Sequence, residues 1–338
     1  MINFGMWKRA LMVMPSVSKE EWRELDIISR WLIATRSAVL FMTFISVALA
    51  GIFAAGAGKF DLTKWLLLTI GLVLSHATNN LLNDYTDFTR GVDKENYYRT
   101  LYGPQPLVAG LLSVRGLLSY AAITGGLALA CGVALLWLSG WDPNLWLLLG
   151  AGVFFVLFYT WPLKYYGLGE IAVLLVWGPL MIAGGYYVLA GAWDWALVWV
   201  SLPYSLGVTA VIFGKHIDKN EEDRKKGIHT LPVLIGERVS RWLVLAMFSG
   251  SYLITIWLVV VKTFTPAMLV VLLALPTSWK IAPIYFAPRP AEKPEGHPSW
   301  PLHFVAAAFV NNRRFGILFL LGILADMAIR LAYPAFWR

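Results

Sequence analysis

A chain of 338 residues that is 58% hydrophobic and only 14% charged, with a mean hydropathy of +0.64, has too few charges to cover a water-soluble protein of this size, because soluble domains carry about 25%. It reads as an integral membrane protein, and the composition excludes a disordered chain, a nucleic-acid-binding module and a disulfide scaffold; the single Cys131 makes neither an internal disulfide nor a multi-cysteine metal site. The net charge of +8 comes from Lys and Arg in loops between apolar segments, where a charged membrane surface is the partner that explains them.

In chain order, residues 1–30 form an N-terminal arm. No small-residue cleavage site follows a short apolar core there, so the arm is no cleavable signal peptide. Trp7, Trp22, Leu25, Ile28 and Trp31 predict a helix lying in the membrane interface. Nine apolar stretches follow, centred near residues 45, 73, 127, 152, 181, 204, 252, 276 and 324, each long enough to span. With the N-terminus inside, the inner segments hold 23 of the 28 Lys and Arg, and the outer side holds Lys59, Lys64, Lys262, Arg330 and Arg338. The positive-inside rule then gives a cytoplasmic N-terminus and an outer C-terminus. Residues 286–303, rich in Pro288, Pro290, Pro294, Pro298 and Pro301, read as an extended inner connection.

The acids are concentrated on the inner face. Asp84, Asp87, Asp93 and Glu95 follow the second span, and Asp218, Glu221, Glu222 and Asp223 follow the sixth. Asn80, Asn83, Asp84 and Asp87 keep the i, i+3, i+4, i+7 spacing, so a helix would project all four from one face. Carboxylates gathered there need a cation, and oxygen ligands without His or Cys suit a hard ion such as magnesium, which shares phosphate oxygens with a substrate. A solvated helix end would give the same composition. Beside the second cluster stand Lys215, Arg224, Lys225 and Lys226, groups suited to a diphosphate. Two such clusters are what a site shared by two half-bundles looks like. A transporter would place ionisable groups near the bilayer midplane, whereas spans three to eight carry almost none, which favours an enzyme acting at one membrane face.

Three stretches carry a family resemblance: Asn83-Asp84-Tyr85-Thr86-Asp87 with Gly91-Val92-Asp93; Tyr159 to Glu170, continuing to Trp177-Gly178-Pro179; and Asp223-Arg224-Lys225-Lys226-Gly227 with Thr230-Leu231-Pro232. Over residues 30–335 the chain resembles the UbiA superfamily of intramembrane prenyltransferases, and the first two stretches are similar to its dihydroxynaphthoate polyprenyltransferase branch. The resemblance implies an all-α bundle of nine transmembrane helices around a lipid-accessible central cavity, forming one domain over 31–338. It implies magnesium-dependent transfer of an isoprenoid from an allylic diphosphate to an aromatic, quinone-precursor-like acceptor, as in menaquinone synthesis. A terpene cyclase of the same type, or transfer to a lipid alcohol, is the alternative. It further implies metal ligands among Asn83, Asp84, Asp87, Asp218, Glu222 and Asp223, with Asn83, Asp87, Asp218 and Asp223 central to catalysis, and diphosphate contacts from Lys164, Lys215, Arg99 and Arg36. Its partners would be the isoprenoid diphosphate, the aromatic or lipid acceptor and membrane lipid.

Two departures mark this chain. Lys219 stands where an earlier Asp is expected, four residues before Asp223, and Gln105-Pro106 stands where many relatives have Arg-Pro. On an ideal helix Asp218 and Asp223 would differ by about 140° and Asp218 and Glu222 by about 40°, so either the helix breaks between them or Glu222 is the ligand. His216, beside Asp218, is the one histidine placed to touch a diphosphate.

Overall fold

An apolar stretch in lipid has no water to satisfy its backbone, so it crosses as a helix or a closed barrel. The computed structural model describes residues 2–92, 105–293, 295 and 300–333. Among these, all regular elements are helical, and nine helices of 20 to 29 residues are long and apolar enough to cross a membrane. Three short helices come first, α1 (Phe4–Met12), α2 (Lys19–Glu24) and α3 (Ile27–Ala34). The spans are α4 (Ser37–Gly56), α5 (Leu62–Thr89), α6 (Val114–Leu138), α7 (Pro143–Tyr166), α8 (Gly169–Ala190) and α9 (Ala196–Asp218). Two short helices, α10 (Asn220–Lys225) and α11 (Leu231–Ile235), then precede α12 (Glu237–Val260), α13 (Pro266–Tyr285) and α14 (Phe304–Ala332). Each span contains one of the nine hydropathy centres.

The chain packs as two compact units, one of Met1–Phe44 with Leu66–Leu163, the other of Ile45–Trp65 with Lys164–Arg338. In the first, α6 and α7 leave Ile123, Leu127, Trp137, Leu147, Phe154 and Leu157 exposed. Such faces would be insoluble in water but are ordinary where the solvent is a lipid tail.

The arm is not one interfacial helix. Ser18 and Glu21 close a capping box on α2, and Asp26 caps α3; these caps divide the segment, because each favours a helix start over continuation. Trp22 and Leu25, expected to face the headgroups, are buried with Leu32, Ile33, Leu81, Leu117 and Ala121 in the core of the first unit. Trp31 donates its indole N–H to Thr124 Oγ1 at 2.9 Å, while Ile27 and Ile28 remain exposed. An indole buries more apolar surface against α5 and α6 than at a headgroup, and its N–H still finds an acceptor.

Asp26 ties the arm together by accepting Ser29 N–H (2.9 Å), Ser29 Oγ–H (2.6 Å), Trp7 Nε1–H (3.1 Å) and Asn3 N–H (3.1 Å). Partial burial pushes its pKa up, but the hydrogen bonds from Ser29, Trp7 and Asn3 outweigh it and hold the carboxyl well below the usual carboxylate range. A depressed folded-state pKa contributes stability that is complete above about pH 4, the value in a released arm, and is lost as pH falls toward the folded value. Amide exchange of residues 2–34, corrected for intrinsic rate, should therefore accelerate on acidification from about pH 5 to 3. Asp26→Asn should exchange fast already at neutral pH and show no further acid step; an unchanged acid step in that variant would assign it to another group.

Candidate active site

The first acid cluster closes α5. Gly91, at φ 69°, adopts the left-handed conformation that ends a helix most readily without a Cβ; Val92 N–H then bonds Asp87 O at 2.9 Å and Gly91 N–H bonds Phe88 O at 3.1 Å. Asn80, Asn83, Asp84 and Asp87 are all buried, Asp87 at 0% exposure. Asn80 Nδ2 donates to Thr35 O at 2.8 Å, holding the end of α3. The next residue, Arg36, has φ 54°, an uncommon backbone conformation for a side-chain-bearing residue, and its guanidinium pairs with Asp84 Oδ1. Arg36, expected on the diphosphate, is thus engaged by a carboxylate. Asp84 Oδ2 stays buried with no hydrogen-bond partner. Arg99, Asp93 and Glu95 lie outside the described residues. Arg90, which no motif singled out, stacks 4.7 Å over the Trp161 ring.

The second cluster lies in the second unit and is built differently. α9 ends at Asp218, and Lys219, at φ −112° and ψ 11°, breaks the helix before α10, the first of the two alternatives that the spacing left. A Cβ on Gly214 would come within 2.8 Å of the Phe304 carbonyl, so only glycine lets the start of α14 approach α9 this closely. That approach engages Asp218, expected as a metal ligand, with backbone: its Oδ1 accepts Phe304 N–H (3.0 Å) and its Oδ2 accepts His303 and Val305 N–H (3.1 and 3.0 Å). Both oxygens are taken up at the N-terminus of a 29-residue helix, whose first N–H groups have no partner within the helix. Arg289 Nη1 donates to the Asp218 carbonyl at 3.1 Å.

α10 ends on Gly227, φ 68°, with Ile228 N–H on Asp223 O at 2.9 Å. Asp223 is 1% exposed. Lys219 Nζ lies 3.1 Å from its Oδ1, and both side chains are buried; Asp223 Oδ2 is buried without a hydrogen-bond partner. Glu222 is only half-buried and Glu221 exposed, so of the four acids of this stretch Asp223 alone keeps a buried carboxylate oxygen open.

The third motif joins the second. His229 N–H bonds Tyr165 O at 3.1 Å. Glu170, in the first turn of α8, places Oε1 2.6 Å from His216 Nδ1 and accepts Leu231 N–H on Oε2 at 3.4 Å. His216 is therefore held by a carboxylate rather than set toward an anion. The pair is buried at 1% and 2% exposure, and its members stand 46 residues apart with no signal in the sequence. Lys164 is buried and Lys215 half-buried, with Lys164 Nζ 5.4 Å from the Tyr165 ring centroid.

Among the described residues no three carboxylate, imidazole or thiolate groups converge; a magnesium ion held here would draw its other ligands from water and substrate oxygens. The first cluster offers the donors that ion takes: Asn83, Asp84 and Asp87 are buried at neighbouring positions of one helix, and Asp84 Oδ2 has no hydrogen-bond partner.

Among the described residues, nine membrane-spanning helices carry buried carboxylates at the end of α5 and, separately, at the α9–α10 break. A model of the UbiA prenyltransferase family matches residues 44–294, and the chain belongs to that family. It is 25% identical over 298 residues to 1,4-dihydroxy-2-naphthoate octaprenyltransferase of Bacillus subtilis, an alignment covering 86% of this chain and 90% of the relative. Its fold matches the apo structure of a UbiA homolog from Aeropyrum pernix, at TM-score 0.64 and 20% identity over 84% of this chain and 98% of the other. It also matches a UbiA homolog from Archaeoglobus fulgidus bound to DMAPP and Mg2+, at TM-score 0.57 and 17% identity over 88% and 99%.

Proposed function

We propose that this membrane-embedded prenyltransferase moves an isoprenoid group from an allylic diphosphate to an electron-rich aromatic acceptor, with magnesium as cofactor, at the cytoplasmic face. The observation that carries the reading is the buried Asn83, Asp84 and Asp87 face, with its open Asp84 oxygen, in a family one of whose solved members was captured with DMAPP and Mg2+. The naphthoate-prenylating relative, aligned over most of both chains, supports an aromatic acceptor. Residues 31–338 act as one catalytic domain, and the surplus of Lys and Arg on alternate loops supports an inner N-terminus.

In this reading the allylic C–O bond breaks with its electron pair leaving on the diphosphate, a ring carbon of the acceptor bonds the allylic carbon, and the ring then loses a proton. The chemistry magnesium supplies at Asn83, Asp84 and Asp87 is neutralisation of the leaving diphosphate. Lys164 and Lys215 add positive charge where the diphosphate develops negative charge, in surroundings where such charge acts strongly. Glu170 fixes His216 and the 229–231 segment, so that the backbone carrying Asp223 keeps its shape. The apolar walls of the spans take the isoprenoid tail and exclude the water that would quench an allylic cation.

Purified protein given magnesium, geranyl or longer diphosphates and 1,4-dihydroxy-2-naphthoate should yield a prenylated ring by mass spectrometry, and chelation should stop it. Product forming without acceptor would show a cyclase instead. Product from a lipid alcohol but from no aromatic acceptor would overturn the aromatic assignment while leaving prenyl transfer intact.

A further inference from the structure

The two acid clusters are local repeats of one another. In each, a buried Asp stands four residues before a left-handed glycine and accepts, on its backbone carbonyl, the N–H of a buried β-branched residue five positions on. These are Asp87, Gly91 (φ 69°) and Val92 in one, and Asp223, Gly227 (φ 68°) and Ile228 in the other, both carbonyl bonds measuring 2.9 Å. Aligning the repeats sets Asn83 opposite Lys219 and Asp84 opposite Asn220.

The backbones agree but the charges do not. Asn83 brings a neutral side chain with an oxygen a cation can use, whereas Lys219 brings donors only and a full positive charge. Asp84 has an open carboxylate oxygen, whereas Asn220, which donates its amide N–H to Pro232 O at 3.2 Å, has only an open neutral amide oxygen. The Lys219 ammonium is 4% exposed and 3.1 Å from Asp223, so solvent screens it little. Asp218 has both oxygens on the start of α14, and Glu222 points about 100° round α10 from Asp223. A dication at this cluster would find two open oxygens, Asp223 Oδ2 and the neutral amide Oδ1 of Asn220, beside a fixed like charge, where a hard ion needs several oxygens.

We infer that Lys219 is a built-in counter-ion at the second cluster: its ammonium takes the position of a divalent cation on Asp223, so that this cluster meets pyrophosphate through the ammonium and holds no magnesium of its own. The inference rests on the prenyl-transfer reading above, and its test separates the two. Purified protein in detergent is titrated with Mn2+ in the presence of inorganic pyrophosphate, and bound ions are counted by electron paramagnetic resonance. Wild type should bind one Mn2+ per chain, and Asp87→Asn should bind none. Lys219→Asp, which restores an oxygen ligand and removes the like charge, should bind two. Lys219→Gln should keep one ion and bind pyrophosphate about tenfold more weakly, which carries the test if the Asp variant fails to fold. Two ions on wild type, a folded Lys219→Asp that stays at one, or undiminished pyrophosphate affinity in Lys219→Gln would each overturn the counter-ion while leaving magnesium-dependent transfer in place. No Mn2+ on wild type would overturn both.

Discussion

Asp87→Ala should reduce prenyl transfer by a factor of about 10³ or more at saturating magnesium, a loss of about 4 kcal/mol in transition-state stabilisation, while eluting from gel filtration as wild type does. The carboxylate is wholly buried, one turn after Asn83 and four residues before Gly91, where α5 is closed. Burying a charge costs free energy, so a neutral side chain at position 87 relieves that cost even as it removes a ligand. Asp87→Asn, nearly the same shape, should lose as much activity. A near-normal rate in either variant would remove Asp87 from the reaction. Asp223→Ala should behave differently, because it leaves the buried Lys219 ammonium without its carboxylate. Breaking such a pair from one side costs about 3–5 kcal/mol, so this variant should lose thermal stability along with turnover.

The second large effect falls on stability. Asp218→Ala takes the acceptors from three backbone N–H groups at the start of α14. With about 1 kcal/mol or more for each unsatisfied donor, the loss should be about 3 kcal/mol, read as a lowered unfolding midpoint and faster amide exchange at residues 300–308. Asp218→Asn keeps one acceptor oxygen and should lose less. Glu222→Gln should change stability by under about 0.5 kcal/mol and activity by less than twofold. If Asp218→Ala kept its stability and lost Mn2+ instead, the carboxylate would be a metal ligand and the cap dispensable. Loss of activity in Glu222→Gln alone would move the role to the glutamate.

Hydropathy and helical period acted here as direct physical statements. Nine spans were legible because lipid tolerates only hydrogen-bond-complete segments of sufficient length, and Asn80, Asn83, Asp84 and Asp87 share a face because a continuous helix has one period. The repeated spacing of Asp87 to Gly91-Val92 and Asp223 to Gly227-Ile228 is also local, so both helix ends and both buried aspartates can be read from the chain. The family motifs are short runs of the same kind.

What the tertiary structure decided is the partner of each charge. Asp218 and Asp223 look alike in sequence, yet one caps a helix that begins 86 residues later and the other holds a lysine one turn away. Arg36 meets Asp84 across 48 residues and His216 meets Glu170 across 46, and Trp22 lies in a core with Leu117 instead of at the headgroups. Spans, faces and helix ends follow from interactions within a few residues, which the order of side chains determines by itself. Which buried carboxylate is neutralised by a guanidinium, an ammonium, backbone N–H groups or a cation depends on which segments meet, because a buried charge takes its state from its nearest counter-charge and that neighbour is set by packing.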